Sequence, residues 1–135
     1  MLSKRQAKFA QNVAKLIAYC DSIGKPCTLG EAYITPEQAD IYAKQGIGIK
    51  NNRRTQRLAI DLNLFDRDYR YHPEPEFYKE VAQFWEDMSN YNSAGYFWPK
   101  RDANHFEMLD NSGIHLHKED DKLTYSPAHD PMVDL

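Results

Sequence analysis

The stretch "RLAIDLNLF", Arg57 to Phe65, constrains this chain more than any other. Leu58, Ile60, Leu62 and Leu64 fall on one side of an extended segment, while Ala59, Asp61 and Asn63 fall on the other. A period of two with four branched or aliphatic residues in phase predicts a half-buried β-strand. It also predicts that Asp61 stands on the face opposite the core. A carboxylate there is either solvated or held by a partner, because burying it alone costs several kcal/mol, roughly 3 to 5. Two arginines, Arg53 and Arg54, lie just upstream.

Elements around that strand follow from spacing and punctuation. Phe9, Val13, Leu16, Ile17 and Cys20 recur at helical intervals from Ser3, and Gly24 with Pro26 ends that helix. "CTLGEAYI", Cys27 to Ile34, reads as a strand weakened by Gly30. In "TPEQADIYAKQG", Thr35 suits an N-cap, Pro36 the first helical position, Gln38 a capping box and Gly46 the close. "EFYKEVAQFWEDM" is helical, with Phe77, Val81, Phe84, Trp85 and Met88 on its apolar side. "YNSAGYFW" and "NHFEML" are short strand candidates around "PKRDA". The order, with neighbouring strands late in the chain, predicts an α+β fold with a small antiparallel sheet and flanking helices. Residues 1–109 read as one domain, and 110–135, where the pattern fades, as a C-terminal extension.

Composition narrows the classes. With 135 residues, 41% hydrophobic and 27% charged, the chain suits a single globular domain. A net charge of −3 argues against a general nucleic-acid binder, although Lys50, Arg53, Arg54 and Arg57 form a local basic cluster. Cys20 and Cys27 make neither a disulfide framework nor a CxxC pair and read as reduced thiols. The first twenty residues lack the continuous apolar region of a signal peptide, and no stretch reaches membrane-span length. The expectation is a soluble, cytoplasmic product without a membrane partner.

The chemistry-bearing residues are Asp61, Asp102 and five histidines: His72, His105, His115, His117 and His129. Asp102 precedes His105 by three residues, a spacing that lets a carboxylate and an imidazole face one point. In a metal hydrolase the imidazole would hold zinc and the carboxylate would take a proton from bound water. A solvated turn gives the same spacing.

Taken together, "GEAYITPEQADIYAKQGIGIKNNRRTQRLAIDLNLF" and "RDANHFEML" resemble the zinc D-alanyl-D-alanine carboxypeptidases and L-alanyl-D-glutamate endopeptidases, the latter including phage endolysins. The resemblance covers about Leu2 to Leu109 and implies that fold and a peptidoglycan stem-peptide substrate. The family's first motif runs Ser-x-His-x-x-(Gly or Arg)-x-Ala-x-Asp, and its His and Asp bind zinc. Its second motif sets a carboxylate base three residues before the third ligand, a His. Carried over, Asp61 and His105 match metal ligands and Asp102 the base, while Arg57, Ala59 and Leu62 match the supporting pattern.

Three positions depart. Arg54 stands where the first ligand His belongs, preceded by Asn52 where the Ser belongs. Ile34 stands where an Arg just before Thr35 would stabilise the oxyanion. "AGY", Ala94 to Tyr96, stands where related members carry Trp-Gly-Gly. Arginine stays protonated and offers no lone pair to a cation. The resemblance therefore implies a degenerate peptidase without zinc, with Arg54 pairing Asp61 and reaching Asp102. Such a protein would act by binding a host protein or a stem peptide, and its relatives point to a phage or prophage origin. Tyr69, Tyr71, Tyr91, Tyr96 and Trp98 are the candidate binding surface, with Phe97 and Trp98 also readable as core. The alternative is an active zinc endopeptidase whose third ligand comes from His72, His115, His117 or His129.

Overall fold

The computed structural model describes residues 1–47 and 53–109. Among the described residues three α-helices and four strands follow in the order α1 (Leu2–Ser22), β1 (Cys27–Leu29), α2 (Pro36–Lys44), β2 (Ala59–Leu64), α3 (Lys79–Asp87), β3 (Asn92–Ala94) and β4 (His105–Met108). The strands form one antiparallel sheet in the order β1-β2-β4-β3. This is the α+β class the sequence predicts.

β2 lies inside the sheet, and its alternation explains the architecture. Leu58, Ile60, Leu62 and Leu64 join Phe106 and Met108 of β4 in the core. Phe9, Val13, Leu16 and Cys20 of α1 and Val81 and Trp85 of α3 pack into the same cluster. Trp85 is fully buried, meets Phe9 and Phe106 edge-on at 5.7 and 6.0 Å between centroids, and donates its indole N–H to the Glu107 carbonyl at 3.0 Å. Burying an aromatic of this size contributes several kcal/mol, about 3 to 5. Here it also fixes the backbone of β4.

Three local expectations change. The strand from Cys27 stops at Leu29. Beyond it the pairing becomes irregular: Gly30 N–H donates to the Asp61 carbonyl at 2.8 Å and Asp61 N–H to the Glu31 carbonyl at 2.9 Å. A Cβ on Gly30 would lie 2.9 Å from that of Asp61, so only glycine allows the approach. The third helix begins as a 3₁₀ turn, Pro75–Tyr78, before α3. The strand from Tyr91 ends at Ala94 and tightens into a 3₁₀ turn, Gly95–Phe97. Thr35 does cap α2, accepting from Gln38 N–H at 3.0 Å.

His72 takes a structural place. Its ring lies against Phe77, 4.2 Å between centroids, with Lys25 also over the Phe77 ring. Both ring nitrogens face carboxylates, Nε2 to Asp66 and Nδ1 to Glu74, each at 2.8 Å. Hydrogen bonds to Asp66 and then Glu74 raise the His72 pKa. The bond from His72 lowers both carboxylates in return. A raised imidazole contributes stability that is complete below its unfolded value, about 6.5, and is lost as pH rises through the folded value. The lowered carboxylates contribute above about pH 4.5 and lose it on acidification. The melting-temperature deficit of His72→Ala is therefore expected to be largest between about pH 5 and 6.5 and smallest above pH 8. Thermal melts of both proteins across pH test this, and a constant deficit would refute it.

Candidate functional site

The sheet has an apolar face covered by α1 and α3 and a polar face that carries the site. Asp61 of β2 pairs in register with His105 of β4, so their side chains share the polar face. Glu107, two residues on, lies on that face too, as does Ser93 opposite it on β3. A cleft of about 500 Å³ opens over Asp61, His105 and Glu107. Ile34, Arg54, Asp61, Trp98, Asp102 and His105 all line it. The positions that the family resemblance singled out thus converge in space from four separate segments.

Arg54 enters from a 3₁₀ turn, Arg53–Gln56, that leads into β2. Its Nη2 donates to Asp61 Oδ1 at 2.5 Å and lies 3.0 Å from His105 Nδ1. His105 Nδ1 is also 3.1 Å from Asp61 Oδ1, and its Nε2 is 2.7 Å from Glu107 Oε1. Glu107 in turn lies 4.0 Å from Arg53 Nε. The result is a chain of alternating charge, Arg54–Asp61–His105–Glu107–Arg53. With the ring neutral, Nε2–H donates to Glu107 and Nδ1 accepts from Arg54. With the ring charged, both N–H groups donate to carboxylates.

The electrostatics agree with tight pairing. Burial pushes the Asp61 carboxyl up, but the His105 hydrogen bond and the Arg54 guanidinium overcome it and leave the pKa lowered. Burial pushes His105 down, yet its bonds to Asp61 and Glu107 leave it raised against the opposing charge of Arg54. Neither group is a solvated surface residue.

Asp102 is placed differently. Its backbone is clamped, N–H to the Gly95 carbonyl at 3.0 Å and carbonyl to His105 N–H at 3.0 Å. A Cβ on Gly95 would come 2.1 Å from the Asp102 carbonyl, so this glycine permits the turn that sets Asp102 beside the cleft. Asp102 is exposed at the cleft margin. Besides Asp61, Arg54 reaches His105. Ile34, the position the resemblance assigned to an oxyanion arginine, is buried and lines the cleft wall.

The proposed aromatic surface divides. Tyr69 and Tyr71 are exposed. Tyr91 and Tyr96 are buried, which removes them from a docking surface. Both pack into the core cluster, and the strand between them, β3, lies against α3 and β4. Trp98 is half-buried: its indole donates to Ser93 Oγ at 2.9 Å and its ring stands 5.0 Å from that of His105, forming one wall of the cleft. Within the basic cluster, Arg57 stacks on Tyr33 at 4.0 Å and Arg53 and Arg54 face carboxylates. Lys50 and Asn52 lie outside the described residues, as do His115, His117 and His129. Glu107 and Glu31 escaped the sequence reading. The His-x-Glu alternation of β4 carried the signal for Glu107. Nothing in the sequence pointed to Glu31, which faces the cleft and accepts from the Tyr42 hydroxyl at 3.1 Å.

Among the described residues the donor set does not fit a hydrolytic zinc centre. Such a centre needs three protein ligands with available lone pairs and one open position. Among the described residues no group of three or more His, Cys, Asp or Glu side chains could hold a metal ion. A guanidinium sits between the two carried-over ligands, Asp61 and His105. His72 has both nitrogens engaged by Asp66 and Glu74.

The described residues form an α+β domain with a four-stranded antiparallel sheet and flanking helices. Its structure is similar to the crystal structure of the Serratia marcescens L-Ala D-Glu endopeptidase ChiX, with a TM-score of 0.57 and 15% identity over 65% of this chain and 70% of that one. No protein family matches the sequence. No curated protein matches it either. No described helix is long and apolar enough to cross a membrane.

Proposed function

We propose that this chain is a degenerate peptidoglycan-peptidase-like protein, in which an internal arginine has replaced the catalytic metal and the cleft serves for binding. The observation that carries the reading is Arg54 Nη2 at 2.5 Å from Asp61 and 3.0 Å from His105. A protonated guanidinium there repels a dication and satisfies the carboxylate that would have bound it. Ile34 supports the same reading, because losing one oxyanion donor typically lowers a rate about 100- to 1,000-fold. The cleft keeps what binding needs: the Trp98 wall, the Asp102 and Glu31 carboxylates and a volume of about 500 Å³. The ligand is a stem peptide or a segment of a host protein. Tyr69 and Tyr71 offer a second exposed surface for a protein partner. A phage or prophage origin accords with the endolysin-like pattern.

Elemental analysis of the purified, tag-free protein after dialysis with and without added zinc tests the central claim. The expected result is less than a tenth of a zinc per chain, roughly background, together with no release of dye from labelled cell walls. One zinc per chain with wall hydrolysis lost in Asp102→Ala would establish the active endopeptidase instead, with its third ligand outside the described residues.

A further inference from the structure

The carboxylates of the cleft divide into those held by a cation and those that are not. Asp61 is held by Arg54, and Glu107 by His105. Asp102 and Glu31 remain. Among the described residues no side-chain hydrogen bond or ion pair engages the Asp102 carboxylate, and the Glu31 carboxylate meets only the Tyr42 hydroxyl. The arginines that share a cavity wall with Asp102 are directed elsewhere. Arg54 sits on Asp61 and His105. Arg101, next in the chain, pairs with Glu76 at 3.3 Å and lies over the Tyr96 ring at 4.5 Å. With isoleucine at position 34, Arg54 and His105 are the only cationic groups among the described residues that line the cleft. Glu31, Asp61, Asp102 and Glu107 outnumber them, so the wall is net negative even with His105 protonated.

Asp102 and Trp98 are also positioned as a pair. The Gly95 carbonyl accepts from both backbones, Asp102 N–H at 3.0 Å and Trp98 N–H at 3.2 Å. The indole is fixed a second time by its N–H bond to Ser93. An aromatic wall and the backbone that carries a carboxylate are thus set before any ligand arrives, which spares part of the cost of ordering a site on binding. Asp102 lines a second cavity as well, of about 250 Å³, together with Tyr71, Pro73 and Arg101. A chain that places one side chain in the cleft can continue past Asp102 into this hollow.

We propose that the cleft binds an arginine side chain of an extended peptide segment, with the guanidinium against Trp98 and paired with Asp102. The inference rests on the reading of the cleft as a metal-free binding site and names the chemistry of its ligand. A guanidinium suits this pair better than an ammonium does. It is planar and weakly hydrated, stacks on an aromatic ring, and still presents N–H groups in its plane to a carboxylate. Glu31 adds negative potential from the same cleft. Asp102, at the place of a hydrolytic base, serves here as a recognition group.

The test titrates the full, isotopically labelled chain with acetyl-Ala-Arg-Ala-amide and with the same peptide carrying citrulline or lysine at its centre. Citrulline keeps the shape of arginine and removes its charge. The arginine peptide is expected to shift the Trp98 indole N–H resonance and to bind at least about tenfold more tightly than the citrulline peptide and about threefold more tightly than the lysine peptide. Raising salt from about 50 to about 500 mM should weaken the arginine peptide and leave the citrulline peptide unchanged. Asp102→Asn should bring the arginine peptide to within about twofold of the citrulline peptide. Equal affinity of the arginine and citrulline peptides, tighter binding of the lysine peptide, or a Trp98 indole untouched by all of them would overturn the proposal. These comparisons decide it on the native chain even where the variant folds poorly. Equal affinity at the cleft would remove the cation and leave the binding reading standing. Failure of that reading shows separately, as one zinc per chain in the same sample.

Discussion

Arg54→Met is expected to lower stability by about 3 kcal/mol and the melting temperature by about 10 °C. The variant keeps most of the side-chain volume and removes the charge. Arg54 and Asp61 are 16% and 18% exposed, so water does little to compensate for the lost partner. Breaking a buried pair costs far more than a surface pair contributes, because one charge stays behind without its counterpart. His105 would still donate to Asp61, which keeps the loss near the lower end for buried pairs. The effect must depend on pH. In the native protein Asp61 is lowered, so its contribution is present above about pH 4 and fades as acid is added. Without the guanidinium, burial pushes the carboxyl up, and protonating it relieves the penalty. The gap between the two proteins therefore narrows on acidification. Combining Arg54→Met with Asp61→Leu should recover most of the loss, since two apolar side chains in contact leave no uncompensated charge. Urea melts of the single and double variants measure both terms. A single-variant cost below about 0.5 kcal/mol would put Arg54 in solvent and withdraw its role as the stand-in for a metal.

How much of this was legible in the sequence depended on the range of the interaction. β2 was legible because its alternation is local and strong, and the cap at Thr35 because it involves neighbours three residues apart. Asp61, Arg54 and His105 were legible only through their place in a motif pattern, since 44 residues separate Asp61 from His105. Their register, Asp61 opposite His105, is a tertiary fact. Tyr91 and Tyr96 misled because an aromatic run reads alike on a surface and in a core. What buries them is the packing of α3 and β4 on either side of a three-residue strand. The early end of β1 was prefigured by Gly30, but its cause, the close approach of Asp61, required the fold.

If the proposed reading holds, the same geometry allows a metal site to be built by design. Arg54→His combined with Ile34→Arg is expected to confer binding of one zinc per chain, with an affinity at least about 100-fold above that of the parent protein. The argument begins with position: Arg54 reaches the point where Asp61 Oδ1 and His105 Nδ1 converge, 3.1 Å apart. An imidazole introduced there adds a third lone pair to two existing donors. His105 must present Nδ1 unprotonated, and its Nε2–H is already directed at Glu107, the kind of outer contact that orients a ligating imidazole. Binding should strengthen as pH rises from about 6 to 8, because proton and metal compete for the two rings. Ile34→Arg returns a cation to the cleft wall beside Asp102, where the family places its oxyanion donor. Alone it should confer no zinc affinity, which separates restored coordination from a general change in charge. Calorimetric titration with zinc, read with elemental analysis, distinguishes the cases. If the double variant folds and still binds no zinc, the 3₁₀ turn at Arg53–Gln56 does not present position 54 in ligand geometry, and the proposed correspondence with a metal site fails.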